Sequence, residues 1–297
     1  MRRPADLDAL LQSSPSDSLP LLLELSRLQA ARRRPRDLLT QLERDGFVHA
    51  SPLDQRLCNR LDALALEAAS DFEAVQLSPV APLGVCSVLA PTSQDRTLSA
   101  LRGTEVVSDP TNVMALMCAR RLVADATKRP RLCTVHQTLR AQALPDRPGF
   151  TRHFRLFALV EAGAAQPDDG FEVATIARHI RVFDRVFDLA GPALGCQVRR
   201  RFVRVLATAP RRVLAERAAI ALAAALPHLT IEHGDLEQPY YDGLRIMYFA
   251  EPPVGDPAPI GDLGLFDWMG KLTANHRLRM VASGMGIQLL PLLYRSA

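Results

Sequence analysis

The sequence predicts an α+β fold that begins with a helical N-terminal segment. Leucines recur at helical spacing in this segment, residues 1–60. Two apolar strands joined by a loop rich in Pro and Gly follow at residues 131–161, and strands and helices alternate from there to the C-terminus. With 297 residues, of which 48% are hydrophobic and 23% charged, the chain has the composition of a folded protein with a sizeable core.

The charge of the chain is nearly balanced. There are 36 Lys and Arg residues against 32 Asp and Glu, which gives a net charge of +4. Arginine occurs in short runs such as Arg199 to Arg201. Such runs could contact phosphates, but they are more often the solvated faces of helices. Charge alone therefore does not indicate a nucleic-acid-binding protein.

The cysteines and the N-terminus bear on the cellular compartment. The five cysteines are scattered without the spacing of metal ligands, which predicts reduced and mostly buried thiols. The N-terminus has no apolar core of signal-peptide length, and no run approaches the roughly 18 apolar residues of a membrane span. We therefore expect a cytoplasmic protein that does not enter a membrane.

The sequence divides into two predicted parts: the helical segment of residues 1–60 and a main domain of residues 61–297. The best amphipathic helix near the boundary covers residues 55–69. Residues 71–84 then form a short predicted strand with a Pro-rich turn at Pro79.

Residues 104–126 predict a short strand followed by a strong helix. Asp109 or Thr111 can cap this helix. Pro110 suits its first turn, because the N–H that proline lacks would have no helical partner there.

The paired strands of residues 131–161 carry a distinctive set of side chains. Arg140 and Gln142 lie at the end of the first strand, and His153, Phe157 and Glu161 follow at four-residue spacing on the second. A fixed cation suits a phosphate, and an aromatic face beside it suits a base. The pattern therefore predicts a nucleotide site under a Pro/Gly loop.

The second half of the chain continues the alternation. The sequence predicts a helix over residues 171–191 that stops at Gly191, a strand over residues 200–207 and an Ala-rich helix over residues 212–226.

Two adjacent tyrosines, Tyr240 and Tyr241, precede Gly243 at the entrance of a predicted strand. Tyrosine hydroxyls at a strand entrance can point into a polar pocket, and a glycine permits close approach of the backbone. The same pair is equally consistent with half-buried core residues.

These patterns resemble the class II aminoacyl-tRNA synthetases. Arg140, His153, Phe157 and Glu161 match the second signature motif of that family, with Gln142 where a glutamate is usual.

Weaker matches lie on either side of that motif. The strand before Pro79 resembles the first motif, and the segment around Gly284 and Gly286 resembles the third. Residues 109–111 and the double tyrosine resemble amino-acid-binding segments of the histidyl-tRNA synthetase branch.

The resemblance implies an antiparallel sheet flanked by helices, a homodimer, and a pocket for an amino acid with ATP and Mg²⁺ as possible cofactors. The ligand-binding candidates are Asp109, Thr111, Arg140, Gln142, His153, Phe157, Glu161, Tyr240 and Tyr241.

The resemblance also implies that tRNA charging is lost. Gln288 stands where the third motif carries an arginine against ATP, and Leu236 where the histidyl branch carries one for the reacting carboxylate. Each missing cation is expected to cost roughly 10²–10³-fold in rate. Because the sequence ends directly after the third motif, we expect neither an anticodon-binding domain nor specific tRNA recognition.

Three functions follow as hypotheses. The leading one is a non-charging paralogue of histidyl-tRNA synthetase that binds an amino acid, with histidine as one candidate, and regulates a partner enzyme. The regulatory subunit of ATP phosphoribosyltransferase is such a protein. The alternative is an ATP-dependent ligase that activates an amino acid or carboxylate for an acceptor other than tRNA. A dimeric scaffold with a vestigial pocket is the third.

Overall fold

The N-terminal helices lie apart from the hydrophobic core. A computed structural model describes residues 5–143, 150–237 and 240–295. It begins with α1 (Ala5–Gln12), α2 (Pro15–Ala31) and α3 (Pro35–Arg44). Neither α2 nor α3 contains a buried residue, although both are rich in leucine. This segment thus exposes an apolar surface.

The next helix, α4 (Gln55–Ala68), is the first to enter the core. It begins at Asp54, whose carboxylate accepts hydrogen bonds from the backbone N–H groups of Arg56 and Leu57. Its buried face includes Leu61 and Ala65, which are almost inaccessible to solvent.

The remaining chain forms two sheets and the helices that cover them. The strands are β1 (Glu73–Ala74), β2 (Val80–Pro82), β3 (Ser99–Ala100), β4 (Thr104–Val106), β5 (Arg131–Leu139), β6 (His153–Ala164), β7 (Arg200–Ala207), β8 (Thr230–Asp235), β9 (Leu244–Glu251), β10 (Ala258–Leu265) and β11 (Leu278–Met285). The helices are α5 (Val85–Leu89), α6 (Pro110–Ala124), α7 (Gly170–Leu194), α8 (Arg212–Ala225), α9 (Trp268–Thr273) and α10 (Leu289–Leu293).

The main sheet has eight strands in the order β1-β5-β6-β11-β10-β9-β7-β8, and β2-β4-β3 form a small second sheet. The pairs from β5 to β7 in this order are all antiparallel, as predicted. The two outermost pairs, β1 with β5 and β7 with β8, are parallel. Parallel neighbours need a long crossover connection. Helix α8 provides it between β7 and β8, and the segment that contains the small sheet, α5 and α6 provides it between β1 and β5.

Each face of the main sheet has its own core. On one face, α4, α7 and α8 pack over side chains that include Phe157 and Leu159 of β6. On the other face, α6 and α9 pack over Ala158 and Val160 of the same strand. Successive residues of β6 thus point into different cores, as the pleat of a strand requires.

Helix α7 is longer than the sequence predicted. It runs past Gly191 to Leu194 and stops at Gly195, which has the left-handed φ of 70° that ends many helices. Pro192 lies in its last turns. Gly191 therefore continues the helix, and the later glycine provides the stop.

All five cysteines are free and buried, in agreement with the sequence-based expectation. Burial raises the pKa of the Cys118 thiol to about 12 and that of Cys133 to about 11, so both stay protonated at neutral pH. None of the helices in the described residues is both long and apolar enough to cross a membrane.

A buried ionic cluster holds α7 against the sheet. The carboxylate of Glu161, on β6, is fully buried, and Arg178 of α7 donates to it at 2.7 Å. Arg131 lies 3.2 Å from the same carboxylate. The neighbouring ring of His179 is fully buried, and its Nδ1 lies 2.8 Å from the hydroxyl oxygen of Ser283.

Burial lowers the pKa of His179 to about 3, and the nearby arginines act in the same direction. Because the unfolded chain takes up this proton near pH 6.5 and the folded chain does not, His179 makes stability fall as the pH drops below about 6.5. Urea unfolding at pH 7 and pH 5 tests this. The wild type should lose ~2 kcal/mol more than His179→Gln over this interval.

The exposed His233 provides the matched control, since His233→Gln should keep the pH dependence of the wild type. An unchanged pH dependence in His179→Gln would show that the buried ring does not set it.

Candidate functional site

A cavity of about 470 Å³ opens on the α6 side of the main sheet. Five of the nine predicted binding residues line it, and they come from three separate parts of the sequence: Asp109, Thr111, Arg140, Tyr240 and Tyr241. Its volume lies within the roughly 300–1,000 Å³ that is typical of small-molecule sites.

Asp109 is the N-cap of α6, and Pro110 is the first residue of that helix, as predicted. One carboxylate oxygen, Oδ1, accepts from the backbone N–H of Thr111 at 3.0 Å and from its hydroxyl at 2.7 Å. The other oxygen, Oδ2, lies 3.5 Å from the hydroxyl oxygen of Tyr240. The cap thus fixes Asp109 through one oxygen and leaves the other toward the cavity.

Arg140 directly follows β5 and is held at three points. Its backbone N–H donates to the carbonyl of Arg152 at 2.8 Å, which extends the pairing of β5 and β6. Its Nε donates to the carbonyl of Ser108 at 2.8 Å. The guanidinium carbon lies 5.2 Å from the centre of the Phe154 ring, within cation–π distance.

The terminal nitrogens of Arg140 remain available. Nη2 lies 3.9 Å from Oδ2 of Asp109, too far for a hydrogen bond. Across the described ranges, only the Nε atom of this guanidinium has a hydrogen-bond acceptor. A cation and an anion thus face each other in the cavity without a direct hydrogen bond between them.

The two tyrosines form an aromatic wall with Phe266. The rings of Tyr240 and Tyr241 meet edge to face with centroids 4.9 Å apart, and each lies within 5.6 Å of the Phe266 ring. Burial raises the pKa of both phenols, so both hydroxyls remain protonated donors.

Gly264 is what allows Tyr241 to lie against the sheet. A Cβ atom at this position would lie 2.0 Å from Cδ1 of Tyr241, so only glycine leaves room for the ring. No local sequence pattern marks this glycine, because its partner lies on a different part of the chain.

The cavity also contains residues that the sequence analysis did not place there. Arg245 of β9 and Asp262 of β10 form a two-pronged ion pair, with Nε to Oδ1 at 3.0 Å and Nη2 to Oδ2 at 2.7 Å. The alternation of β9 after Gly243 could have indicated Arg245. No local signal indicates Asp262, because the pair forms between neighbouring strands.

Gln142 lies at the rim of the cavity and does not line it in the described residues. Its side-chain oxygen accepts a hydrogen bond from Arg96, which does line the cavity. Gln142 therefore positions an arginine that the sequence analysis missed. The predicted Pro/Gly loop over this rim falls largely on residues 144–149, which lie outside the described residues.

Within the described residues, His153, Phe157 and Glu161 do not line the cavity. All three lie on the opposite face of β6 from the cavity, because residues of one parity share one face of a strand. Phe157 is fully buried in the core, and Glu161 belongs to the ionic cluster with Arg178.

His153, at the start of β6, bonds instead to the segment that precedes α4. Its Nε2 lies 2.6 Å from the carbonyl oxygen of His49, and its Nδ1 lies 2.7 Å from the side-chain amide of Gln137. The aromatic ring beside Arg140 is that of Phe154, three residues before the phenylalanine that the spacing selected.

Gln288, at the position where the third motif carries an arginine, is only 4% exposed. Its side-chain oxygen accepts from the backbone N–H of Arg155 at 3.2 Å. Within the described residues it does not line the cavity. No group of three or more His, Cys, Asp or Glu side chains suited to a metal ion occurs in the described residues, so no Mg²⁺ ligands are assigned.

Known proteins resemble this chain in their structure. No protein-family model matches the chain, and no curated protein matches its sequence. A histidine–tRNA ligase subunit from Alicyclobacillus acidocaldarius superposes with a TM-score of 0.58 at 16% identity, covering 84% of this chain and 96% of that one.

Two further solved structures superpose on this chain in the same way. An ATP phosphoribosyltransferase regulatory subunit/histidyl-tRNA synthetase from Bacillus halodurans gives a TM-score of 0.61 at 12% identity over 84% of this chain and 83% of that one. Apo histidyl-tRNA synthetase from S. aureus gives 0.60 at 10% identity over 84% and 68%. The chain therefore has the α+β fold of histidyl-tRNA synthetase-like class II catalytic domains, as the sequence motifs predicted.

Proposed function

We propose that this chain is a non-charging paralogue of histidyl-tRNA synthetase that binds an α-amino acid in the cavity and thereby regulates a partner enzyme. The observation that carries the proposal is the opposition of Asp109 and Arg140, whose Oδ2 and Nη2 atoms lie 3.9 Å apart. An α-amino acid carries one ammonium and one carboxylate on the same carbon, so it matches such a pair.

The ammonium would bind Oδ2 of Asp109, because Oδ1 is already occupied by Thr111. The carboxylate would bind the terminal nitrogens of Arg140, because Nε is already bonded to the carbonyl of Ser108. The hydroxyl of Ser108 is buried without a hydrogen-bond partner in the described residues, and it lines the same cavity. A bound carboxylate would supply that partner.

Two observations favour regulation over tRNA charging. Gln288 is neutral and bonded to the backbone of β6, so it does not supply the cation that charging enzymes place against ATP. One structural neighbour carries the name of a regulatory subunit, which is consistent with a non-charging role for this fold.

A regulatory protein needs a surface for its partner, and we propose that the N-terminal helices provide it. Leucines of α2 and α3 such as Leu21, Leu25, Leu39 and Leu42 are each more than half exposed. Apolar surface of this kind marks interaction sites. The bound amino acid then needs only a different affinity for the free and the partnered states in order to regulate.

Thermal melting of the full chain with each of the twenty amino acids tests binding. At a concentration 100 times its Kd, a ligand adds about 2.7 kcal/mol of stability, which should raise Tm by roughly 5 °C. Asp109→Asn and Arg140→Ala should each abolish this shift, since each removes one of the two charges that the zwitterion requires.

The exposed ion pair of Arg212 and Asp235 supplies matched controls, because Arg212→Ala and Asp235→Asn make the same changes away from the cavity. If no amino acid raises Tm in the wild type, or if the control variants lose the shift as well, the cavity does not bind amino acids as proposed.

Assembly is tested by co-expression with the catalytic ATP phosphoribosyltransferase of the same organism, followed by size-exclusion chromatography. The two chains should co-elute, and Leu39→Glu with Leu42→Glu should separate them while the amino-acid-induced rise in Tm is kept. Separate elution of the wild-type proteins would exclude this partner.

The second candidate function, an ATP-dependent ligase acting on a non-tRNA acceptor, is favoured by one observation. Arg140 lines the cavity next to an aromatic ring, Phe154, an arrangement that also suits a nucleotide. Because Gln288 lacks positive charge, we expect amino-acid-dependent ATP–pyrophosphate exchange to remain at background for wild type and Arg140→Ala alike. Exchange that depends on Arg140 would instead establish the ligase.

A further inference from the structure

We propose that the cavity selects α-amino acids with an apolar side chain and that Leu156 limits the size of that side chain. This inference rests on the function proposed above, because it concerns the ligand of the same cavity. Two observations support it. Charged groups of the cavity are already hydrogen-bonded within the protein, and the rest of the cavity wall is predominantly apolar.

The charged groups beyond Asp109 and Arg140 are satisfied by one another. Arg245 and Asp262 are joined by two short hydrogen bonds, and the guanidinium carbon of Arg245 lies 5.4 Å from the centre of the Tyr241 ring. Arg96 is bonded to Gln142 at the rim. Three hydroxyls of the cavity wall also have partners within the protein: Thr92 contacts Cys86, Ser283 contacts His179, and Tyr240 contacts Asp109. A polar ligand side chain would have to compete with these contacts.

Leaving a buried polar group unpaired costs at least about tenfold in affinity. The Ser108 hydroxyl does not change this conclusion. Ser108 immediately precedes Asp109, and its carbonyl holds Arg140, so its hydroxyl belongs to the end of the cavity that takes the ammonium and carboxylate.

The rest of the wall is predominantly apolar. Leu156 of β6, Ala282 of β11 and Phe266 line the cavity together with the two tyrosine rings. Leu156 is 8% exposed, so the described residues enclose most of it and leave only a small surface toward the ligand. An apolar side chain loses no hydrogen bond in this environment and removes further apolar surface from water.

Gly284 of β11 fixes where Leu156 lies. A Cβ atom on Gly284 would be 3.2 Å from Cδ1 of Leu156, closer than ordinary van der Waals contact. An alanine at this position would therefore shift the flexible end of Leu156, which lines the cavity. Together, the leucine and the glycine determine how large a ligand side chain fits.

The test is isothermal titration of the full chain with L-leucine, L-methionine, L-phenylalanine, L-histidine and L-glutamine. The apolar amino acids should bind at least ~10-fold more tightly than histidine and glutamine. Gly284→Ala should weaken phenylalanine more than leucine or methionine, and Leu156→Ala should shift the preference toward phenylalanine.

Gly191→Ala is the control, because its added methyl group would meet only a backbone oxygen at 3.5 Å, far from the cavity. Cooperative melting of each variant establishes that it is folded. Should none of the five amino acids bind the folded wild type, the proposed function itself fails. Amino-acid binding in which histidine or glutamine equals leucine overturns the apolar preference alone. If both variants keep the wild-type order of affinities, the size limit assigned to Leu156 is overturned.

Discussion

The alternation of side chains along β6 is the constraint on which this structure depends. This strand lies between β5 and β11 in the main sheet, and its two faces belong to two different cores. Leu156 faces the cavity, whereas Phe157 is sealed beneath α7. A one-residue shift in register would exchange these faces and place the charge of Glu161 in the apolar core beneath α6. The ionic cluster around Glu161 therefore specifies the register that forms the cavity.

Much of the fold is predictable from the sequence because its signals are local. The strand at residues 200–207 has the predicted bounds, and Asp109 caps α6 as the sequence indicates. The site is less predictable because it depends on contacts between distant segments. Four-residue spacing places His153, Phe157 and Glu161 on one face of β6, but only the packing of α7 decides that this face is turned away from the cavity. The ion pair of Arg245 with Asp262 depends on strand pairing, which no short motif encodes.

The charged groups of the cavity differ in whether a protein partner already binds them, and this difference determines which charges face a ligand. Arg245 and Asp262 are hydrogen-bonded to each other. Asp109 is held through Oδ1 and Arg140 through Nε, which leaves Oδ2 and the terminal nitrogens toward the cavity. Preorganised groups of opposite sign recognise a ligand that carries both signs at low entropic cost, because the protein side chains are already in place. The structural neighbours share the fold at only 10–16% identity, so the fold by itself does not fix which charges stay open.

The contact between His153 and the carbonyl of His49 has a mechanical consequence. The guanidinium carbon of the preceding residue, Arg152, lies 5.2 Å from the centre of the Phe47 ring. The backbone carbonyl of Arg152 accepts a hydrogen bond from the backbone N–H of Arg140. The stretch between α3 and α4 thus contacts the strand end that positions Arg140. Because α3 ends at Arg44, three residues before Phe47, a displacement of α3 would strain these contacts at the strand end that holds Arg140.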